Sequence, residues 1–300
     1  MSRDPRRSTL WAIIAVLLLF GTGVAVSMRL LLGRQILPAG DRVALLPLHG
    51  AIVDEQWFVD ELEHFRDDGG IRAFVIEIES PGGTVGASQS IYEAIRDLRE
   101  EEDRPVVAWM GDVAASGGFY AAMGADSVFA LPGTITGSIG VIMEFPNAQE
   151  LLRKVGLGWE IVKSGEHKDL GNPARALSEE DREILQGLVD DVHRQFLEVV
   201  TANRPLEAAE VERLADGRIF SGRQALELGL IDGLGTLEDA IDVAGRMAGL
   251  GEDPRVQHPR ERRIGWWDLV LGLTEAEARG LLRTWVPMHS GTPRLLYEWK

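Results

Sequence analysis

Residues 105–123 read PVVAWMGDVAASGGFYAAM, and they set the fold class. Pro105–Met110 is an apolar run short enough for a buried strand. Gly111–Ser116 reads as a turn of small and polar residues, and Gly117–Met123 as a helix of small residues. Strand, tight turn and helix in close succession are the repeating unit of an α/β protein.

The same grammar extends in both directions. Towards the N-terminus, Asp41–Val53 carries Val43, Leu45, Leu46 and Leu48 and reads as a strand. Ile71–Ile78 is a second strand, followed by Ser80-Pro81-Gly82-Gly83, which reads as a turn outside any regular element. Ile91, Ala94, Ile95 and Leu98 then recur at helical spacing, and that helix ends near Arg99–Arg104. Towards the C-terminus, Val128–Ala130 and Thr134–Ile142 read as short strands, and Trp159–Val162 is strand-like. Ser178, followed by Glu179, Glu180 and Asp181, is an N-cap with acids in the first turn. The helix it starts has an expected apolar face of Ile184, Leu185, Leu188, Val189, Val192 and Phe196. Gly222–Leu228 and Leu237–Met247 read as two further helices. The alternation predicts one α/β domain over about residues 41–250.

Composition fits an ordinary folded protein: 45% of the residues are hydrophobic and 26% charged, which excludes wholesale disorder. There is no cysteine, so disulfides, thiolate metal sites and a thiol nucleophile are excluded. The net charge of −16 argues against nucleic acid as a partner, since a duplex demands a basic surface. The charge is uneven. Residues 1–40 hold five Arg and one Asp, leaving 26 basic and 46 acidic residues, net −20, in 41–300.

The basic leader contains an uncharged apolar run, Leu10–Met28, which Leu30–Leu32 extend if Arg29 reaches the headgroups. At about 1.5 Å per residue this run nearly spans a hydrocarbon core of about 30 Å. Arg3, Arg6 and Arg7 before it favour a cytoplasmic N-terminus, residues 1–9, with the body outside the cytoplasm. The expectation is one transmembrane helix over 10–32. The alternative is a cleaved signal peptide, whose only small-x-small site is Ala25-Val26-Ser27.

Three small-residue turns and one lysine segment carry the chemistry. The turns are Ser80–Gly83, Ala115–Gly118 and Thr136–Gly140; the fourth segment is Ser164–Asp169. Ser116 sits where a strand gives way to a helix, with free backbone N–H groups at the helix start. Such groups can hold an oxyanion. Gly82 and Gly83 offer a second N–H source that a carbonyl can approach closely. A serine nucleophile needs a base. None of the six histidines lies in a Ser-His-Asp pattern, and no G-x-S-x-G elbow surrounds Ser116, which leaves a Ser-Lys dyad. A lysine of ordinary pKa is neutral in only about four molecules per ten thousand at pH 7, so the dyad requires a water-poor setting. The lysines of the body are Lys154, Lys163, Lys168 and Lys300. Context favours Lys168, with His167 as the rival base.

In these residues the chain resembles the signal peptide peptidase A family, the S49 serine proteases, in its short membrane-anchored form. The family's serine motif stands as Asp112–Tyr120, with Phe119 where tyrosine is frequent; its S-P-G-G turn as Ser80–Gly83; its T-I-T-G-S-I-G-V segment as Thr134–Val141; its S-G-x-x-K-D segment as Ser164–Asp169; and a last run as Ala215–Asp232. The resemblance implies a ClpP/crotonase-like spiral α/β fold. It implies Ser116 as nucleophile and Lys168, 52 residues later, as general base, with Ser138 orienting the lysine. The backbone N–H groups of Gly83 and Gly117 would form the oxyanion hole. It further implies ring- or dome-like homo-oligomers, in which a neighbouring chain can supply the lysine, and remnant signal peptides at the bacterial inner membrane as substrates. No cofactor or metal is expected, since serine, lysine and backbone dipoles suffice and no motif has metal-ligand spacing.

Two other readings keep the fold: a crotonase-like enzyme acting on acyl-CoA thioesters, or an inactive membrane scaffold. The tail, residues 251–300, does not match the family. Trp266, Trp267, Trp285, Tyr297 and Trp299 stand there beside several arginines, which suits a bilayer interface, a subunit contact or packing on its own domain.

Overall fold

The computed structural model describes residues 40–102 and 104–259, and the backbone of 296–298. Strands β1 (Arg42–His49), β2 (Ile71–Ser80) and β4 (Val106–Ala115) run parallel at the centre of the main sheet, with Leu46 beside Ile76 and Ile76 beside Ala108. These runs are apolar on both faces, as a parallel sheet covered on both sides requires. The sheet order is β7-β6-β4-β2-β1-β9, with β5 and β8 branching from β4. β4 forks: Val107–Met110 pair with β5 (Ser127–Ala130), and Val113–Ala115 pair with β6 (Ile135–Gly137). β7 (Ile219–Ser221) closes that edge antiparallel to β6. β8 (Gly233–Leu234) follows β5, and β9 (Val256–Gln257) follows β1.

Alternate residues of the central strands feed two cores. On one face Leu46, Phe74, Ile76 and Ala108 meet helices α1 (Gln56–Arg66), α2 (Val85–Glu102), α3 (Gly117–Ala122) and the second half of α5 (Glu179–Asn203). On the other, Val43, Leu45, Val75, Val107 and Trp109 meet Ala240 and Ala244 of α8 (Leu237–Met247). Each fully buried large side chain contributes roughly 1.5–3 kcal/mol, so the centre of this sheet is the rigid part of the molecule. The short helices α4 (Gln149–Lys154), α6 (Ala208–Leu214) and α7 (Gly222–Glu227) complete the element order.

Several boundaries differ from the sequence expectation. Gly82–Thr84 is not a plain turn but a short strand, β3. Gly111–Ala115 is strand as well, because its backbone groups find unusual partners. The Glu79 carboxylate accepts from the N–H groups of Asp112 at 2.9 Å and Val113 at 3.4 Å. The hydroxyls of Thr134 and Thr136 donate to the carbonyls of Gly111 at 2.6 Å and Ala114 at 2.7 Å. Trp159–Val162 forms no strand. The Ser178 cap is present as a reciprocal box with Asp181, but Ile184 and Leu188, expected on the apolar face, are exposed. The start of α5 stands clear of the core. β9 also carries the sheet beyond residue 250.

The expected transmembrane segment over 10–32 and most of the tail lie outside the described residues. Among the described residues, no helix is long and apolar enough to cross a membrane.

Candidate active site

Ser116 occupies the junction of β4 and α3, at the C-terminal end of a central parallel strand. Its φ of 52° and ψ of −115° are rare for a residue with a side chain. Hydrogen bonds on both sides hold it there: its N–H donates to Gly137 O at 2.8 Å, and its carbonyl accepts from Tyr120 N–H at 2.8 Å. The residue is 1% exposed, and its hydroxyl caps nothing in the helix that follows. The sequence folds this way locally because Gly117 and Gly118 let the helix press against the strands. A Cβ at Gly118 would stand 2.9 Å from Ser80 O.

The two glycines expected as oxyanion donors are brought together. A Cβ on Gly117 would collide with the Ser88 hydroxyl and stand 3.2 Å from both Gly82 Cα and Gly83 N. Gly83 is itself pressed against Ile52, whose carbonyl leaves no room for a Cβ. Gly82 has a φ of 97°, and its N–H donates to Ser80 Oγ at 3.1 Å. Ile52 accepts from Thr84 N–H and donates to Gly82 O. The N–H and C=O of Gly83, alternating with these, therefore face the opposite edge of β3. That edge holds β10 (Leu296–Glu298), which runs antiparallel to β3 with Leu296 opposite Thr84, Tyr297 opposite Gly83 and Glu298 opposite Gly82. β10 also lies against α2 and against α3, the helix that starts after Ser116.

Ser138 follows the end of β6, next to β4. The pairing of Ala115 with Gly137 places Ser116 and Ser138 at corresponding positions, and Ser138 is buried with a φ of 51°. Its N–H donates to Arg218 O at 2.8 Å.

Lys168 is not brought into this cluster. It is exposed, in a turn where its N–H donates to Gly165 O at 3.2 Å, and its ammonium makes no hydrogen bond or ion pair among the described residues. The surrounding segment projects as an arm. α4 buries nothing, and Leu151, Val155, Leu157, Trp159 and Val162 are all exposed. Lys163 is occupied: it donates to Asp169 Oδ1 at 2.8 Å and to Glu166 O. Arg175 bonds Asp169 at 2.9 Å and also bonds Asp181 at the start of α5. The Arg175 guanidinium, and after it the Lys163 ammonium, holds the Asp169 carboxyl well below the usual carboxylate range. Arg175 together with the Ser178 N–H does the same for Asp181. His167 lies 3.6 Å from Asp181 and 3.4 Å from Glu180, on the arm's base.

The model for peptidase family S49 matches residues 99–251, about half of the chain, from the end of α2 through Ser116 and Lys168 to the end of α8. The chain is 45% identical to a Synechocystis sp. relative that carries a provisional protease name, over 75% of this chain and 84% of the relative. It is 34% identical to an Enterococcus faecium relative with the provisional name signal peptide peptidase SppA, over 77% and 67%. It is also 34% identical to the chloroplastic serine protease SPPA of Arabidopsis thaliana, over 69% of this chain and 30% of that protein. This chain belongs to peptidase family S49. The parallel α/β sheet is consistent with the ClpP-like fold of S49 peptidases, as the motifs implied.

Three residues that sequence reasoning passed over support the S49 site. Ser80 accepts from Gly82 N–H, and Ser88, also fully buried, donates to Thr84 O at 2.9 Å while its hydroxyl abuts Gly117. The available signal was a helical serine one turn after β3, where bonding to the carbonyl four residues back is common. Tyr120 packs edge-on between Tyr92 and Phe196, with ring centroids 5.2 and 4.9 Å away. Burial pushes its phenol up to about 12, so it stays neutral beneath the serine turn.

Proposed function

We propose that this S49 peptidase is a serine endopeptidase with a Ser-Lys dyad: Ser116 the nucleophile and Lys168 the general base. The observation that carries the reading is the Ser116 turn. A serine held in a strained conformation at the end of a central strand lies beside two glycine N–H groups that no side chain can crowd. The Ser116 hydroxyl attacks the peptide carbonyl as the Lys168 amine takes its proton. The N–H groups of Gly83 and Gly117 receive the developing oxyanion, and their fixed aim makes this the largest single stabilisation. The ammonium then protonates the leaving amine, and water, deprotonated in turn by the amine, releases the acyl group from Ser116. Ser138 accepts or donates a hydrogen bond at Lys168 and orients it.

The lysine comes from a neighbouring copy of the chain. Within one chain Lys168 is exposed while Ser116 is buried. The arm that carries Lys168 also exposes a row of apolar side chains, which a second copy would cover and which would dry the amine. A ring- or dome-like homo-oligomer is therefore the working form. The apolar run Leu10–Leu32 anchors it in the bacterial inner membrane with the catalytic domain outside the cytoplasm. Remnant signal peptides, which gather in that bilayer, are the substrates.

A fluorophosphonate probe tests the assignment. Labelling should map to Ser116 by mass spectrometry and vanish in S116A, with hydrolysis of casein and signal peptides lost in both S116A and K168A. A label elsewhere, or full hydrolysis by assembled K168A, overturns it.

A further inference from the structure

The edge of β3 on which a substrate strand would pair is already occupied by the chain itself. Ile52 takes one side of β3, and the N–H and C=O of Gly83 point to the other, where Tyr297 stands opposite. An extended peptide seeking the Gly83 N–H, and through it the oxyanion hole, meets β10 first. The position of β10 against α3 puts it beside the helix that opens at Ser116. A main-chain ladder recognises any extended peptide, so the chain's own segment and a substrate compete for the same groups. A tethered competitor acts at an effective concentration of the order of millimolar, well above that of a dilute peptide.

We propose that the strand Leu296–Glu298 is a resident competitor on the substrate edge of β3, and that peptides bind by displacing it. The inference rests on the Ser116 reading for what the edge is used for. Its occupancy can be read without activity.

The absence of cysteine allows a direct test. Thr84 and Leu296 stand opposite each other, and antiparallel partners are about 4.5–5.5 Å apart at Cα, within disulfide range. In the assembled T84C/L296C double variant, mild oxidation should give an intrachain disulfide, seen by mass spectrometry. Peptide hydrolysis should fall by roughly tenfold or more relative to the same protein after reduction. In full-length Y297P, which removes the N–H facing Gly83, KM should fall severalfold with kcat unchanged. Failure of the disulfide to form, a disulfide only between chains, equal hydrolysis in the two redox states, or an unchanged KM in Y297P would each overturn the proposal. An intrachain disulfide in a protein that hydrolyses nothing in either redox state would instead count against the peptidase reading.

Discussion

Ser116 and Ser138 stand at equivalent positions on neighbouring parallel strands, each one residue past the paired Ala115 and Gly137, and both have positive φ, 52° and 51°. Two serines held at angles that favour glycine mark one locally strained site. Strain of this kind costs of the order of 1–3 kcal/mol per residue and persists only where the surrounding bonds enforce it. Stability should therefore rise where activity is lost. S116G should unfold at a higher temperature than S116A, by an amount corresponding to about 1 kcal/mol, while both are inactive. Thermal unfolding of the two variants checks this; equal midpoints would mean that the turn holds no strain.

The contact of Gly117 with Ser88 and Gly83 predicts a partial rescue. G117A should lose roughly 10²-fold or more in kcat and also lose stability. Removing the obstructing hydroxyl in G117A/S88A should return most of the stability, because the remaining neighbours stand at 3.2 Å and can give slightly. Activity should not return with it, since the methyl group still crowds the donors. Urea unfolding and kcat measured on the same samples separate the two effects.

Arg175 joins Asp169, next to Lys168, to Asp181 at the start of α5. R175M should free the turn that presents the lysine, lowering kcat by roughly tenfold or more with little change in KM. The sign of the pH dependence is fixed by the direction of the carboxyl shifts. Both carboxyls are held below their ordinary value of about 3.9, so the clamp stabilises fully above that value and is lost as pH falls below it. The difference in urea midpoint between wild type and R175M should hold steady from neutral pH to about 5 and close only below about 4. A gap that closes near neutrality would show that another group carries it.

Hydrolysis should rise with pH from about 6 to about 9, because the base must be an unprotonated amine. A flat profile of single-turnover acylation across that range would count against a titrating lysine.

The central layers of this fold were legible because their strands are short apolar runs and their helices keep a clear period. The Ser178 cap identified α5 within a residue. What escaped depended on distant partners. Gly111–Ala115 looks like a turn, and only the Glu79 carboxylate and two threonine hydroxyls make it strand. Gly82–Thr84 has no side-chain signal for a strand at all; Ile52 and residues 296–298 confer it. The apolar face expected from Ile184 and Leu188 is correctly periodic, yet this end of the helix is left open by the rest of the chain. At the site, motif spacing located the serine turn and the glycines, whereas Ser80 and Ser88 matter through backbone atoms they touch only in the folded state.

Mixing two inactive variants puts the shared dyad to its hardest trial. S116A keeps its lysine and K168A keeps its serine. If each serine is served by the amine of an adjacent copy, co-assembly of equal amounts should restore hydrolysis at about a quarter of the sites. Co-assembled mixtures as silent as either variant alone would contradict the account.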